Sequence, residues 1–390
     1  MSELPAILGG KKAFPEGVPF AQPTIPDWTE IAPELEAMYK TMYLTKGPYM
    51  RKFEEAMEEY LGVKHVVAVS SCTSGLMLAL QSLDLDLSKA EVIVPAYSFM
   101  ATFHSLKWNG LKPVFVDCEP ESLTIDVKAA EKAIGPNTVG IMAACVCGNP
   151  PDWKALEALS DKYGLPVFCD SAHGLGTVYE GKRLGGRGKF EAFSLSPTKL
   201  LTSAEGGLVS TNDDQIAKRI REGRDYGNPG TYDCFHAGFN ARMSEFHAIL
   251  GLKGVPYLEQ YAAHRNETAA AYRKALAGIP GITFQKIREN TRSSYKDFAM
   301  FIEPEKFGME RDMLTKALSA EGVPTRAYFC PAGHEMSVYA YLPKVTLPVT
   351  EFYSRRVICP PIFSHMELSL AERIGDTIRR IHEHADEVRK

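Results

Sequence analysis

One lysine, one aspartate and one hydroxyl-rich turn in the 390-residue chain are of types that do chemistry together. Lys199 is the single charged residue between Ala192 and Ala204, in AFSLSPTKLLTSA. Lysines usually coat exposed faces, so one among apolar and small residues is out of place. Asp170 closes the apolar run LPVFCD. A carboxylate there either caps the next helix or holds a cationic ligand at the mouth of a sheet. Ser71-Cys72-Thr73-Ser74 joins an apolar run to an amphipathic one. Free amides at a helix N-terminus, with hydroxyls beside them, make either a simple N-cap or an anion site. Lys199 alone also reads as a surface lysine whose stem lies on apolar neighbours. Together the three features fit one cofactor, pyridoxal 5′-phosphate. Its phosphate needs amides and hydroxyls, and its aldehyde needs an amine. Its ring nitrogen needs a carboxylate that keeps it protonated, and so an electron sink. Phe99, in PAYSF just past another apolar run, is placed to stack on the ring.

Other patterns fail. Gly174-Leu175-Gly176 begins a dinucleotide fingerprint, but Tyr179 stands where glycine is required. There is no Walker-type loop. Cys145 and Cys147 share one face of a strand, which suits a metal pair or two buried thiols. No second Cys/His pair follows at zinc spacing. His382 and His384 sit in a charged, solvated helix.

The elements that must position these residues alternate. Residues 65–71, 91–95, 113–117, 139–146, 165–170 and 192–195 read as strands with unbroken apolar character. Residues 73–83 read as a helix with Leu76, Leu80 and Leu83 on one face. Asp152 caps another helix that carries Leu156, Leu159 and Tyr163 and ends at Gly164 and Pro166. Continuous apolar strands alternating with helices predict an α/β fold: a mixed, mostly parallel sheet covered on both faces. Such sheets bind ligands at the carboxyl ends of their strands. The large domain is expected over residues 1–255, with a Pro/Gly-rich N-terminal arm. A smaller α+β domain is expected over 256–390, with a strand near 298–302.

Composition narrows the class further. Lys+Arg number 44 and Asp+Glu 48, a formal charge of −4, which leaves no basic field for a nucleic-acid backbone. No apolar run is long enough for a membrane helix, and the first residues contain no apolar signal segment. Eight cysteines, several inside apolar runs, fit reduced thiols in a cytoplasmic protein.

At this level the chain resembles the DegT/DnrJ/EryC1/StrS sugar aminotransferases, of the aspartate-aminotransferase fold (fold type I), from about residue 15 to about 385. The resemblance rests on VSSCTSGLMLAL, EVIVPAYSFMAT, VFCDSAHGLG, FSLSPTKLLTSAEGG, GFNARMSEFHA and TRAYFCPAGH, in that order. It implies that Lys199 is the Schiff-base lysine and Asp170 the partner of the pyridine nitrogen. It implies that Phe99 and Ala172 pack on opposite faces of the cofactor ring, with His173 beside its phenolic oxygen. Thr73, Ser74 and Ser194 match phosphate ligands. Asn240 and Arg242 match residues that reach the neighbouring subunit's site, so a homodimer is implied. Tyr328 to His334 matches a stretch near the bound nucleotide-sugar. Lys296, in SSYKDF, stands where many members have His; it either contacts substrate phosphate or is exposed. Cys72 stands where Gly is usual.

The function implied is transfer of an amino group from an amino acid, expected to be L-glutamate, to a nucleotide-linked keto-deoxysugar. A dTDP-4-keto-6-deoxyhexose is the expected acceptor. The alternatives are the same chemistry on a 3-keto sugar or a cyclic ketone (an aminocyclitol or aminobenzoate precursor), or a non-catalytic cofactor-binding regulator.

Overall fold

The computed structural model describes residues 3–389. Its central sheet has seven strands: β1 (His65–Val69), β2 (Glu91–Pro95), β3 (Lys112–Val116), β4 (Thr138–Ala144), β5 (Val167–Asp170), β6 (Glu191–Ser194) and β7 (Gly207–Thr211). Their order is β1-β7-β6-β5-β4-β2-β3. Neighbours are parallel except at β7, which runs antiparallel to both β1 and β6. The sequence pattern marks all of these strands but β7.

The strands are apolar without a break because the sheet is covered on both sides. Successive residues of one strand enter opposite cores. Val66 and Ala68 of β1, Ile93 of β2 and Cys169 of β5 belong to one core. Val67 and Val69 of β1, Val92 and Val94 of β2 and Phe168 of β5 belong to the other.

A second, three-stranded antiparallel sheet is built from β8 (Ile282–Phe284), β9 (Met300–Ile302) and β10 (Val357–Ile358), in that order. The expected strand near residue 298 is therefore β9. The helix Leu258–Ala275 links the two units: its Leu258 and Ala262 pack in the first core, and its Ala269 and Tyr272 pack in the C-terminal core.

The N-terminal arm docks on the C-terminal unit, although its sequence position lies beside the large one. Phe14 enters the C-terminal core. The anchor is Glu321, which is fully buried. Its carboxylate accepts the amides of Ala6 and Ala13, both at 2.8 Å, and pairs with Arg380 at 2.7 Å. Six of the eight cysteines are buried, and all eight are free thiols. No helix among the described residues is long and apolar enough to cross a membrane.

Glu321→Ala removes two amide partners and the close, buried counter-ion of Arg380, leaving it only the exposed Glu3 at 3.7 Å, a loss of about 3–5 kcal/mol for a broken buried pair. The melting temperature should fall, and limited proteolysis should cut first within residues 3–20. An unchanged cleavage pattern would show that the arm is held by other contacts.

Candidate active site

The parallel strands deliver their carboxyl ends to one edge of the sheet. Asp170 is the last residue of β5 and Ser194 the last of β6. Ser71 follows β1 and caps the helix Cys72–Gln81. Phe99 follows β2 and immediately precedes the helix Met100–Trp108. Between these ends lies a pocket of about 260 Å³ lined by Ser71, Cys72, Thr73, Phe99, Asp170, Ala172, His173, Ser194 and Lys199. The C-terminal unit closes it with Lys296, Tyr328 and Phe329.

Lys199 sits in the turn after β6, its amide donating to Ser196 O at 3.0 Å. Burial pulls its ammonium down to about 8, and the like charge of Lys296 pushes in the same direction. Asp297, the Cys72 sulfur and Asp170 oppose the shift. Asp170 is buried, which raises its carboxyl. Three contacts hold it toward the ionised form: the Thr102 hydroxyl at 2.6 Å, the Ala172 amide at 3.1 Å, and the positive charge of Lys199.

His173 accepts the Cys147 amide at Nδ1, at 3.2 Å, so Nε2 carries the proton. Burial and the nearby cations of Lys199, Lys296 and Arg265 hold the ring well below its ordinary pKa, and therefore neutral. Phe329 stacks on it, with centroids 6.1 Å apart.

The anion site is made by the helix N-terminus. Ser74 N–H returns to Ser71 Oγ at 3.1 Å and Gly75 N–H to Ser71 O at 3.0 Å. The preceding amides, Cys72 and Thr73, belong to the first turn and have no intrahelical partner. Gly207 of β7 packs directly beneath: a Cβ there would lie 2.4 Å from Cys72 N and 2.4 Å from Ser71 C. The cradle thus requires glycine at this position.

Several expected residues are elsewhere. Ser74 does not face the pocket. Its hydroxyl accepts Ser71 N–H at 3.0 Å and donates to Ser71 O at 2.8 Å, closing a capping box. His334 does not face it either. The chain turns at Gly333, and the imidazole packs near Phe115 with Nε2 3.4 Å from Glu351. Asn240 is exposed, and Arg242 pairs with Asp225, which also holds Lys46; neither lines this chain's pocket.

Three residues went unseen in the sequence. Thr102 orients Asp170. Asp297 holds Lys296 Nζ at 2.8 Å. Arg265, 1% exposed, hydrogen-bonds the carbonyls of both pocket lysines, Lys199 at 3.4 Å and Lys296 at 3.4 Å. Their own sequence surroundings carry no signal of these roles. The arrangement offers a buried amine, a buried carboxylate and an anion cradle around one small cavity.

The model of the DegT/DnrJ/EryC1/StrS aminotransferase family matches residues 27–379. The chain belongs to this family. As a family member it is an aminotransferase, with the mixed, mostly parallel α/β architecture of fold type I. It is 32% identical to an Escherichia coli dTDP-4-amino-4,6-dideoxy-D-glucose transaminase over 362 residues, 92% of this chain and 96% of that protein. It is also 32% identical to DesI, solved with its TDP-sugar product, with a TM-score of 0.92 over 98% of this chain and 97% of that one. For DesV of S. venezuelae the identity is 30% and the TM-score 0.85, over 93% and 99% of the two chains. Lys199 and Asp170, singled out in the sequence, both line the pocket.

Because burial disfavours the charged form, the neutral Lys199 amine grows with pH and saturates above about 8. With its amine free, Lys199 should react with an amine reagent about tenfold faster per pH unit below that point, then level off. Peptide mapping measures this. Lys296→Met removes the repelling charge, so the plateau should move to higher pH. A rate still climbing at pH 10 in the unmodified protein would contradict the assigned burial.

Proposed function

We propose that this aminotransferase binds pyridoxal 5′-phosphate in the pocket and moves an amino group from L-glutamate to a nucleotide-linked keto-deoxysugar, of the dTDP-4-keto-6-deoxyhexose type. The observation that carries the proposal is the Lys199 amine and the Asp170 carboxylate on one wall-to-wall cavity, beside a helix N-terminus cradled by Gly207. When bound, the cofactor supplies an aldehyde that takes up the amino group and a ring that delocalises the electron pair left on the donor's α-carbon.

This chain's residues do the rest. The Cys72 and Thr73 amides, with the Thr73 and Ser194 hydroxyls, hold the phosphate at the positive end of the helix. Phe99 and Ala172 flank the ring. Asp170, whose anion the Thr102 hydroxyl and the Ala172 amide favour, would pair with the ring nitrogen and keep it protonated. His173 donates Nε2–H to the phenolic oxygen. Lys199, whose amine is brought down by burial to about 8, would serve as the base and acid that moves the proton between the donor's α-carbon and the bound cofactor. Tyr328 and Lys296 face the substrates. Asn240 and Arg242 reach the second site of a homodimer. The exposed aromatics Trp28, Tyr39, Tyr43 and Phe246 support a covered surface in that region.

Two relatives support the acceptor class: DesI is described with a TDP-sugar product, and the Escherichia coli relative is named for a 4-amino dTDP-sugar. Incubation with L-glutamate and a panel of keto sugars should yield an amine on the dTDP-4-keto-6-deoxyhexose. An amine appearing only on a 3-keto sugar or a cyclic ketone would refute the substrate assignment.

Lys199→Ala should lower turnover by at least about 10³-fold, the scale of a lost general acid–base group. Gly207→Ala should push the Ser71–Cys72 turn outward and weaken cofactor affinity by about tenfold or more, measured by equilibrium dialysis, since a phosphate contact to backbone amides is charge-assisted. Retained affinity would mean the phosphate binds elsewhere.

A further inference from the structure

Lys296 is 6% exposed. One of its hydrogens goes to Asp297 Oδ1 at 2.8 Å, and the Tyr328 ring lies 5.6 Å from Nζ. An ammonium carries three donors, so two remain, on a group that lines the pocket. A buried cation with donors open to a cavity is a receptor for an anion.

Under the proposed function two anions visit: the carboxylate of the amino donor and the diphosphate of the acceptor. Covalent structure separates them. The reacting carbon must come to Lys199. In an α-amino acid the carboxylate is bonded to that same carbon. In a nucleotide-linked keto sugar the diphosphate hangs from the anomeric carbon, across the ring. Lys296 shares the small cavity with Lys199, and of all charged neighbours it acts most strongly on the Lys199 amine.

We infer that Lys296 is the donor-specificity residue. Its ammonium takes the α-carboxylate of the amino acid. Asp297 is the resident counter-ion that keeps it paired when an uncharged sugar ring fills the same space. Asp297 is 2% exposed, and its Oδ2 has no partner, so it has acceptor capacity in hand for that return. A lone buried ammonium facing a neutral sugar would be costly. The pair solves the problem of one site for two unlike substrates. The inference rests on the transaminase function proposed above and names the substrate group this position reads.

The test compares L-glutamate with its α-monoamide, L-isoglutamine, in the donor half-reaction, followed by bleaching of the cofactor's visible absorbance in the holoenzyme. Any general damage, including a shifted Lys199, acts on both donors alike and cancels in the ratio. The wild type should prefer glutamate by about 10–100-fold in kcat/KM, the scale of a charge-assisted hydrogen bond. Lys296→Met should bring the ratio near one, and Lys296→Arg should keep most of it. If Lys296→Met does not accumulate folded, Lys296→Gln, which keeps an N–H for Asp297, carries the same comparison. Calorimetry with dTDP should give affinities within twofold for wild type and variant. An unchanged donor ratio, or a loss of dTDP affinity instead, overturns the inference. A wild-type holoenzyme that no amino acid bleaches would overturn the transaminase function itself.

Discussion

Everything at this site depends on keeping a primary amine and a carboxylate largely out of water in one cavity without letting them neutralise each other. Left alone, each would lose its charge on burial. The fold compensates the two unequally. Asp170 receives a hydroxyl and an amide that favour its anion. Lys199 receives no hydrogen bond that would favour its cation, and it faces a second lysine. Burial moves both groups toward their neutral forms, the carboxylate against two hydrogen bonds that favour its anion and the amine with its proton loosened to about 8, which suits a proton-shuttling amine beside a ring-facing acid.

The sheet supplies the geometry. Parallel strands β5 and β6 are neighbours, so the residue ending one and the turn leaving the other open onto the same edge. The antiparallel β7 then brings Gly207 under the helix that follows β1, and the anion cradle is set at a fixed distance from the amine. The C-terminal unit completes the enclosure. Arg265, fully desolvated except for carbonyl and hydroxyl partners, is clamped between the Lys199 and Lys296 main chains and Ser364. It fixes the two ammonium-bearing chains relative to each other across the two units.

What the sequence makes legible follows from how local each constraint is. Six of the seven main strands are visible because burial on both faces demands unbroken apolar runs. Lys199 and Asp170 are visible because a charge inside such a run has few structural uses. β7 is hidden because its first residue must be glycine for a reason lying in another strand's turn. Thr102 and Arg265 are hidden because their partners lie 68 and 66 residues away, and nothing in their own neighbourhood marks the contact. Ser74 is ambiguous in the sequence because a hydroxyl suited to a phosphate is equally suited to the capping box it closes here. His334 lies outside this chain's pocket, where Gly333 packs against Phe103 and Phe115 and the chain turns after Phe329. The arm reads as irregular, but its docking depends on Glu321, more than 300 residues distant.

Two lysines share the cavity, and only one is assigned the covalent role. Reduction of the holoenzyme with borohydride, followed by peptide mapping, distinguishes them directly. The cofactor adduct should appear on the peptide containing Lys199 and leave Lys296 unmodified. An adduct on Lys296, or none on either lysine, would contradict the account.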